Sequence, residues 1–278
     1  MTDSVAQRYN ARADDYSRWW APVLIEAAQR VVDYVEWYAG KPPADHATVL
    51  ELGTGTGSLA RAALTRWPTV ELIASDVATA MLDVARAELA DVDAGRVRFV
   101  EAPAAAIPLP DASVDLVISS FVLQLVPDRL AVLREAHRLL RPGGIFAYVT
   151  WIARDEEDGF EPSIEFDEAV LDLAVDEPSD PPCRHAGDVS SAPAAARQMR
   201  RAGLRNVIAR DDELAYDWTI DSYLDYKLAY DETALIAMLT DAKRADLERG
   251  ARDRLSRLPA EAFHWRPPIV YVAGRKSP

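Results

Sequence analysis

The 278-residue chain contains one cysteine and four histidines, and this scarcity removes whole classes of chemistry. Cys183 has no partner for an intramolecular disulfide, and a multi-cysteine metal site is excluded. It stands in Asp180-Pro181-Pro182-Cys183-Arg184-His185, a stretch of loop composition, and reads as an incidental thiol. No metal site is expected. Positive charge is also short: 31 Lys and Arg face 45 Asp and Glu, for a formal net charge of −14. Nucleic-acid binders usually present a basic face, so a polymeric, phosphate-rich substrate is not expected. Only four of the cations are lysines, a bias toward arginine without mechanistic meaning. No run of about 18 apolar residues occurs, so no transmembrane helix and no membrane partner are expected. Residues 1–12 are polar and lack the apolar stretch of a signal peptide. A cytoplasmic protein is the expectation.

What is present is an ordinary globular composition, 49% hydrophobic and 27% charged, long enough to bury a substantial core. The chain divides into three stretches. In residues 1–43, Val23, Leu24, Ala27, Val31, Tyr34 and Val35 recur at helical spacing. Gly40 and Pro42-Pro43 stop that helix, and a short aromatic segment with Tyr9, Tyr16, Trp19 and Trp20 precedes it. Residues 45–151 alternate: strands over 48–52, 70–75, 97–101, 114–119 and 145–151, helices over 58–67, 79–90 and 129–140. This βαβα order predicts a doubly wound parallel sheet. Residues 152–278 are less regular. They carry an acidic run at 155–158, a proline-rich breaker at 177–182, and a short helix around Phe166, Val170 and Leu173. Helices over 194–202, 220–239 and 241–258 come next, with strands over 204–209 and 268–273.

The strongest local signal is Val49-Leu50-Glu51-Leu52-Gly53-Thr54-Gly55-Thr56-Gly57-Ser58. A strand runs into a glycine-rich turn and a helix begins beyond it. The missing Cβ atoms let a ligand approach backbone amides, and the helix start adds partial positive charge. In an open α/β sheet this carboxyl edge is where ligands bind. Two cofactors compete for the loop. Gly55-x-Gly57-x-x-Ala60 satisfies a relaxed dinucleotide fingerprint, whereas Glu51-x-Gly53-x-Gly55-x-Gly57 is the pattern of S-adenosylmethionine (SAM) sites. Asp76, about 20 residues on, suits the ribose of either ligand. Glu51 separates them. A pyrophosphate would be repelled by a carboxylate, while SAM carries an ammonium and a sulfonium and no phosphate.

Four further segments resemble class I SAM-dependent methyltransferases, in order and at the family's spacing. Asp76-Val77 with Met81 resembles the ribose-binding turn, and 106–115 (Ala106-Ile107-Pro108-Leu109-Pro110-Asp111-Ala112-Ser113-Val114-Asp115) the block before the fourth strand. Ser119-Ser120-Phe121-Val122-Leu123-Gln124-Leu125 resembles the segment after that strand, and Arg138-Leu139-Leu140-Arg141-Pro142-Gly143-Gly144 the turn before the fifth. Together these cover 49–151. More weakly, Tyr9-Asn10 and Tyr16-Ser17 resemble the stretch that lids the cofactor, and Ala202-Gly203-Leu204 the approach to the sixth strand.

The resemblance implies a Rossmann-like seven-stranded sheet of order 3-2-1-4-5-7-6 with strand 7 antiparallel. It implies an N-terminal helical lid over 1–43 and a main domain over 44–278, with helical inserts near 152–192 and 219–258. SAM is the implied cofactor, held by Tyr16, Glu51, Gly53, Thr54, Gly55, Gly57, Asp76, Val77, Met81, Ala102, Pro103, Ala104 and Ser119. One departure stands out: where the family usually shows Gly-Asp-Ala after the third strand, this chain has Ala102-Pro103-Ala104. Pro103 offers neither a side-chain acceptor nor an amide hydrogen, so adenine must be held by backbone groups and apolar contacts.

The expected reaction is in-line methyl transfer to a small-molecule acceptor, in which alignment supplies most of the catalysis and a strong base is optional. Trp19, Trp20, Gln124 and His185 are the candidate acceptor contacts, and no catalytic residue is identified. Tyr223, Tyr226 and Tyr230 share a helical face and read as packing. His137 reads as structural and His46 as surface, with His264 near the last strand. Two alternatives stay open. One is an NAD-dependent oxidoreductase, although no Tyr-x-x-x-Lys pair of the short-chain kind is recognisable. The other is a SAM-binding protein without transfer activity.

Overall fold

A strand covered on both faces must be apolar along its length, and this is what the first two-thirds of the chain supplies at regular intervals. The computed structural model describes residues 2–153, 159–173 and 187–278. Cys183 and His185, the acidic run and the proline-rich breaker lie outside them. The described residues form two compact units. The first draws on the chain up to residue 153, on 187–213 and on 268–278; the second draws on 159–173 and 214–267.

The first unit is built on a seven-stranded sheet: β1 (Thr48–Leu52), β2 (Glu71–Asp76), β3 (Val97–Glu101), β4 (Val114–Ser120), β5 (Leu140–Trp151), β6 (Arg205–Glu213) and β7 (Pro268–Arg275). Their order is 3-2-1-4-5-7-6. Strands β1 to β5 are parallel to their neighbours, and β7 runs antiparallel between β5 and β6. This is the topology expected from the sequence. The central strands are fully enclosed: Val49, Leu50, Leu52, Val117 and Ile118 have no exposed surface. Each such side chain contributes about 1.5–3 kcal/mol by leaving water, so Leu50→Ala would lose about 2–5 kcal/mol.

Among the described residues six longer helices accompany this sheet: α1 (Thr2–Ala11), α2 (Ala21–Ala39), α3 (Ser58–Arg66), α4 (Thr79–Glu88), α5 (Arg129–Leu139) and α6 (Ala192–Arg201). Helix α2 has proline in its first turn, where a missing amide hydrogen is harmless. It buries Val23, Leu24, Ala27, Ala28, Val31, Val32, Tyr34 and Val35, a stripe at three- and four-residue spacing, and ends at the left-handed Gly40. Two tyrosine hydroxyls pin it to the sheet. Tyr34 donates to the Ile208 carbonyl at 3.2 Å and Tyr271 to the Ala27 carbonyl at 2.8 Å.

The structure departs from the sequence expectation at three places. β5 begins at Leu140 instead of 145, because Leu140 pairs with Val114 and the Arg-Pro-Gly-Gly turn is absorbed into the strand with a register shift. β6 continues to Glu213, past 209, since an edge strand tolerates Asp211, Asp212 and Glu213 facing water. In the second unit, the single helix expected over 220–239 divides into Ile220–Tyr226 and Thr233–Met238, with a π-turn at Lys227–Asp231 between them.

The cause of that break is Lys227. Its side chain is 4% exposed, its ammonium meets Asp231 at 2.9 Å and Glu232 at 2.8 Å, and it lies 4.8 Å from the Phe166 ring. A buried ammonium needs paired partners, and the wide turn lets carboxylates four and five residues on reach it together. Around it, helices Glu161–Leu171 and Asp241–Leu255 pack together. A chain of rings runs from Phe160 to Tyr223, Trp218, Tyr226 and Tyr230 at centroid distances of 5.0–5.8 Å.

Candidate functional site

The carboxyl ends of β1, β2 and β4 converge on the glycine loop. Gly53, Gly55 and Gly57 all take left-handed backbone, with φ of 66°, 53° and 89°. At Gly53 a side chain is excluded twice, by that conformation and because a Cβ would collide with Val122. Around Gly55 nothing lies within 4 Å of where a Cβ would stand, so that amide-bearing turn is open. Thr54, nearly buried, donates its amide to the Ser75 carbonyl at 2.8 Å.

Beneath the loop sits Glu51, with 0% of its surface exposed. The Thr54 hydroxyl donates to its Oε2 at 2.7 Å, while Oε1 is buried with no hydrogen-bond partner. Burial pushes the Glu51 carboxyl up to about 8, against the Thr54 hydrogen bond that lowers it. An orphaned buried carboxylate oxygen is an expensive feature to retain. A cationic ligand above the loop would satisfy it. The glycine turn and Glu51 therefore fit a cofactor carrying an ammonium, and they disfavour a pyrophosphate.

At the end of β2, Asp76 accepts the Gly55 amide through Oδ2 at 2.9 Å and the Ala78 amide through Oδ1 at 2.9 Å. Burial pushes its carboxyl up as well, partly offset by these amides. Each oxygen retains acceptor capacity beyond one backbone amide. The Ala102 amide donates to the Asp76 carbonyl at 2.9 Å, which brings Ala102-Pro103-Ala104 beside it. Pro103 is exposed, and its carbonyl closes a turn onto the Ala106 amide. Ser119 is buried and donates its hydroxyl to the Leu52 carbonyl at 2.8 Å, tying β4 to β1.

The N-terminal segment covers this edge. Ala13, Ala78 and Met81 form a small buried cluster against which Tyr9, Tyr16, Ala80 and Val84 pack. Tyr9 and Tyr16 meet edge to face at 5.7 Å. Asn10 Oδ1 accepts the Ala80 amide at 2.9 Å. Helix α4 starts at Ala78, which cannot cap it, so the cap comes from the N-terminal segment instead. Residues Tyr16–Trp20 form a π-turn. A cleft of about 40 Å³ lies between this segment and the glycine loop, lined by Tyr16, Leu24, Ile25, Gly53 to Thr56, Ser120 and Phe121 among others.

The structure thus brings together Glu51, Gly53, Thr54, Gly55, Gly57, Asp76, Val77, Ala102 and Ser119 at one edge, with Met81 and Tyr16 over it. Trp19 and Trp20 are on the same π-turn but not among the cleft-lining residues, and Arg18 covers the Trp19 ring at 4.8 Å. Gln124 turns its amide inward. Its Nε2 donates to the Phe121 carbonyl at 2.6 Å, and its Oε1 accepts the buried Thr150 hydroxyl at 2.9 Å.

Sequence reasoning put Asn10 in the lid stretch and Phe121 in the segment after the fourth strand, but gave neither an individual role. Phe121 has left-handed backbone at φ 53°, a strain of about 1–3 kcal/mol in a bulky residue. No sequence signal announces that strain, whereas an alanine at a helix start does hint at a borrowed cap. Among the described histidines, His137 packs on Gly203 and is pushed down by burial, and His46 and His264 are exposed. Among the described residues, no cluster could hold a metal ion, and no helix is long and apolar enough to cross a membrane.

Known proteins are similar to this chain in sequence and in fold. A family model described as a methyltransferase domain matches residues 50–148. Demethylmenaquinone methyltransferase of Thermus thermophilus is 41% identical over 96 residues, 34% of this chain and 43% of that protein. The ubiquinone/menaquinone biosynthesis C-methyltransferase of Coxiella burnetii is 26% identical over 255 residues, 88% of this chain and 82% of that protein. Among solved structures, the [4+2]-cyclase SpnF shares the fold at 16% identity and a TM-score of 0.57, covering 91% of this chain and 82% of that one. With the family-model match seated on β1 to β5, this strand order, and a buried acid under the glycine turn, residues 50–148 are a methyltransferase domain of the class I SAM-dependent kind, whose cofactor is S-adenosylmethionine.

Proposed function

We propose that the protein transfers a methyl group to a small-molecule acceptor, and that this acceptor is an electron-rich ring of the reduced-quinone kind, methylated on carbon. The observation that carries the cofactor half of this reading is Glu51, whose Oε1 lies buried and unpartnered under the open glycine turn. Two things favour the acceptor reading. The names of the Thermus and Coxiella relatives refer to menaquinone and ubiquinone, and Tyr16, Leu24, Ile25 and Phe121 give the cleft apolar and aromatic walls.

In this reading Glu51 pairs with the cofactor's ammonium, and Gly53, Thr54, Gly55 and Gly57 offer backbone along its amino-acid part. Asp76 accepts from the ribose hydroxyls. Val77 and Met81 pack on the nucleoside, and Ala102-Pro103-Ala104 hold adenine by backbone and apolar contact, with Ser119 keeping β4 against β1. When bound, SAM would supply a methyl carbon activated by its sulfonium: the carbon–sulfur bond would break as the bond to the ring carbon forms, S-adenosylhomocysteine would leave, and the proton displaced from that carbon would pass to water. The chain's own task is alignment and exclusion of water. A cofactor of this kind fills a site of several hundred Å³, more than the cleft of about 40 Å³ beside the glycine loop, so in this reading residues 2–20 move to admit it and return as a lid.

The test is formation of S-adenosylhomocysteine with anaerobically reduced 1,4-naphthohydroquinone. Acceptor-dependent product supports the reading; none with this quinol removes the acceptor class. One other reading has an observation behind it. SpnF is a cyclase on this same fold, and tight SAM binding without methyl transfer to any acceptor would favour a role of that kind.

A further inference from the structure

The segment leaving β4 is braced more heavily than a cofactor cradle requires. Phe121, 5% exposed, holds its left-handed backbone while its ring lies 4.5 Å from Trp151 at an interplanar angle of 37°. Three hydrogen bonds fix it there. Its amide donates to the Val149 carbonyl at 3.0 Å, its carbonyl accepts Gln124 Nε2 at 2.6 Å, and Gln124 Oε1 accepts the fully buried Thr150 hydroxyl at 2.9 Å. The brace is itself braced. A Cβ on Gly187 would collide with the Gln124 carbonyl. Arg129 donates Nε to the Leu123 carbonyl at 3.2 Å and also bonds the Gly187 carbonyl. Val122, next along, is the residue that leaves no room for a side chain on Gly53. Strained backbone persists only where its surroundings over-determine it, and here the strained residue lines the cleft.

We propose that Phe121, backed by Trp151, forms the acceptor-side wall that selects a flat aromatic acceptor, and that Gln124 and Thr150 are positioning residues latching that wall. The proposal rests on the methyl-transfer reading above. Relaxing Phe121 to an ordinary backbone conformation redirects its Cα–Cβ bond and takes the ring off Trp151. A ring already immobilised offers a flat ligand offset stacking at 4.5–7 Å without paying to order it at binding. Gln124 and Thr150 do not line the cleft, so they act through Phe121.

The experiment uses protein labelled with 4-fluorophenylalanine, which carries six reporters, the Phe121 resonance being identified by its loss in Phe121→Leu. Spectra are taken on the free protein and on its S-adenosylhomocysteine complex. Gln124→Leu and Thr150→Val are expected to move the Phe121 resonance in the same direction. S-adenosylhomocysteine affinity stays within about twofold, and KM for 1,4-naphthohydroquinone rises about tenfold with kcat within about threefold. Thr150→Ser, which keeps the hydroxyl, retains the wild-type resonance and KM. An unmoved Phe121 resonance in both latch variants overturns the latch, and an unchanged KM in Phe121→Leu overturns the wall. Should Gln124→Leu fail to fold, Thr150→Val carries the same test. If wild type does not methylate the quinol, the acceptor reading fails on its own, while the fluorine spectra still decide the latch.

Discussion

The two ends of the central strands differ in a way that separates room from chemistry. At the amino ends of β1, β2 and β3 lies a hollow of about 570 Å³, lined by Thr48, Glu71, Arg96, Arg98, Leu109 and Ser113 among others. Several of its polar groups are engaged. Arg96 donates to the carbonyls of Leu64, Trp67 and Val70, Ser113 to that of Pro110, and the Thr48 amide meets Asp115. At the carboxyl ends the cleft is about 40 Å³. Yet three left-handed glycines, a left-handed phenylalanine and an orphaned carboxylate oxygen gather there. The larger hollow is space left between turns. The smaller one holds conformations and polar groups that folding alone would disfavour, and that marks a site.

The comparison breaks most visibly at glycine. Gly53→Ala meets both φ 66° and Val122, and should lower SAM affinity about 100-fold or more while destabilising the fold by about 2–4 kcal/mol. Gly95→Ala, beside the amino-end hollow, brings a Cβ only to 3.4 Å from the flexible Asp93 side chain. It should change stability by less than about 0.5 kcal/mol and leave affinity alone. Calorimetry and urea unfolding of the two variants test this, and equal losses would erase the distinction between the two ends.

Next in size is Glu51→Gln. It keeps shape and removes charge, and should weaken SAM binding about 10- to 100-fold, whereas Arg98→Ala should not weaken it.

A pH series sharpens the same point. The Glu51 carboxyl sits at about 8 in the folded protein, above its ordinary 4.5, so the native state holds this proton more tightly than the unfolded chain does. Its contribution to stability is therefore full below about 4.5 and is lost as pH rises through about 8. Cofactor binding needs the carboxylate and the cofactor's ammonium together, and an α-amino group loses its own proton near about 8, so affinity should climb as pH rises from about 6 toward about 7.5 and fall again above about 8. Glu51→Gln should flatten both trends, which urea unfolding and SAM titration across this range would show.

The smallest effect expected is at Asn10→Ala. Losing one cross-element cap should cost about 0.5–1 kcal/mol locally. It should be visible as faster hydrogen exchange in residues 5–20, with SAM affinity changed less than about threefold.

The same division separates the features legible in the sequence from those that are not. Strand positions and the glycine loop were legible because fully buried strands and left-handed turns admit few residue types: Val49 to Leu52 and Gly53 to Gly57 have few alternatives, while the order of the strands came from the family resemblance. The departures come from long-range contacts. β6 reads through Asp211 to Glu213 because an edge strand accepts charge, and the π-turn at Lys227 depends on Phe166, about sixty residues away in the chain. Trp19 and Trp20 miss the cleft because a π-turn carries an extra residue and rotates the side chains along it out of helical register. Gln124 was expected to contact the acceptor; its amide instead meets Thr150 and the Phe121 carbonyl, a direction the sequence does not signal. Nothing in the letters around Phe121 signals its backbone. His185 lies outside the described residues, and its expected role as an acceptor contact stays a proposal.

The most direct test of the central claim is calorimetric titration of SAM at pH 7 in two buffers of different ionisation enthalpy, with NAD as the comparison ligand. The account predicts that SAM binds, that NAD does not, and that binding releases about one proton as Glu51 gives up its hydrogen to pair with the ammonium, a release absent in Glu51→Gln. Binding of NAD in place of SAM, or SAM binding untouched by Glu51→Gln, would contradict it.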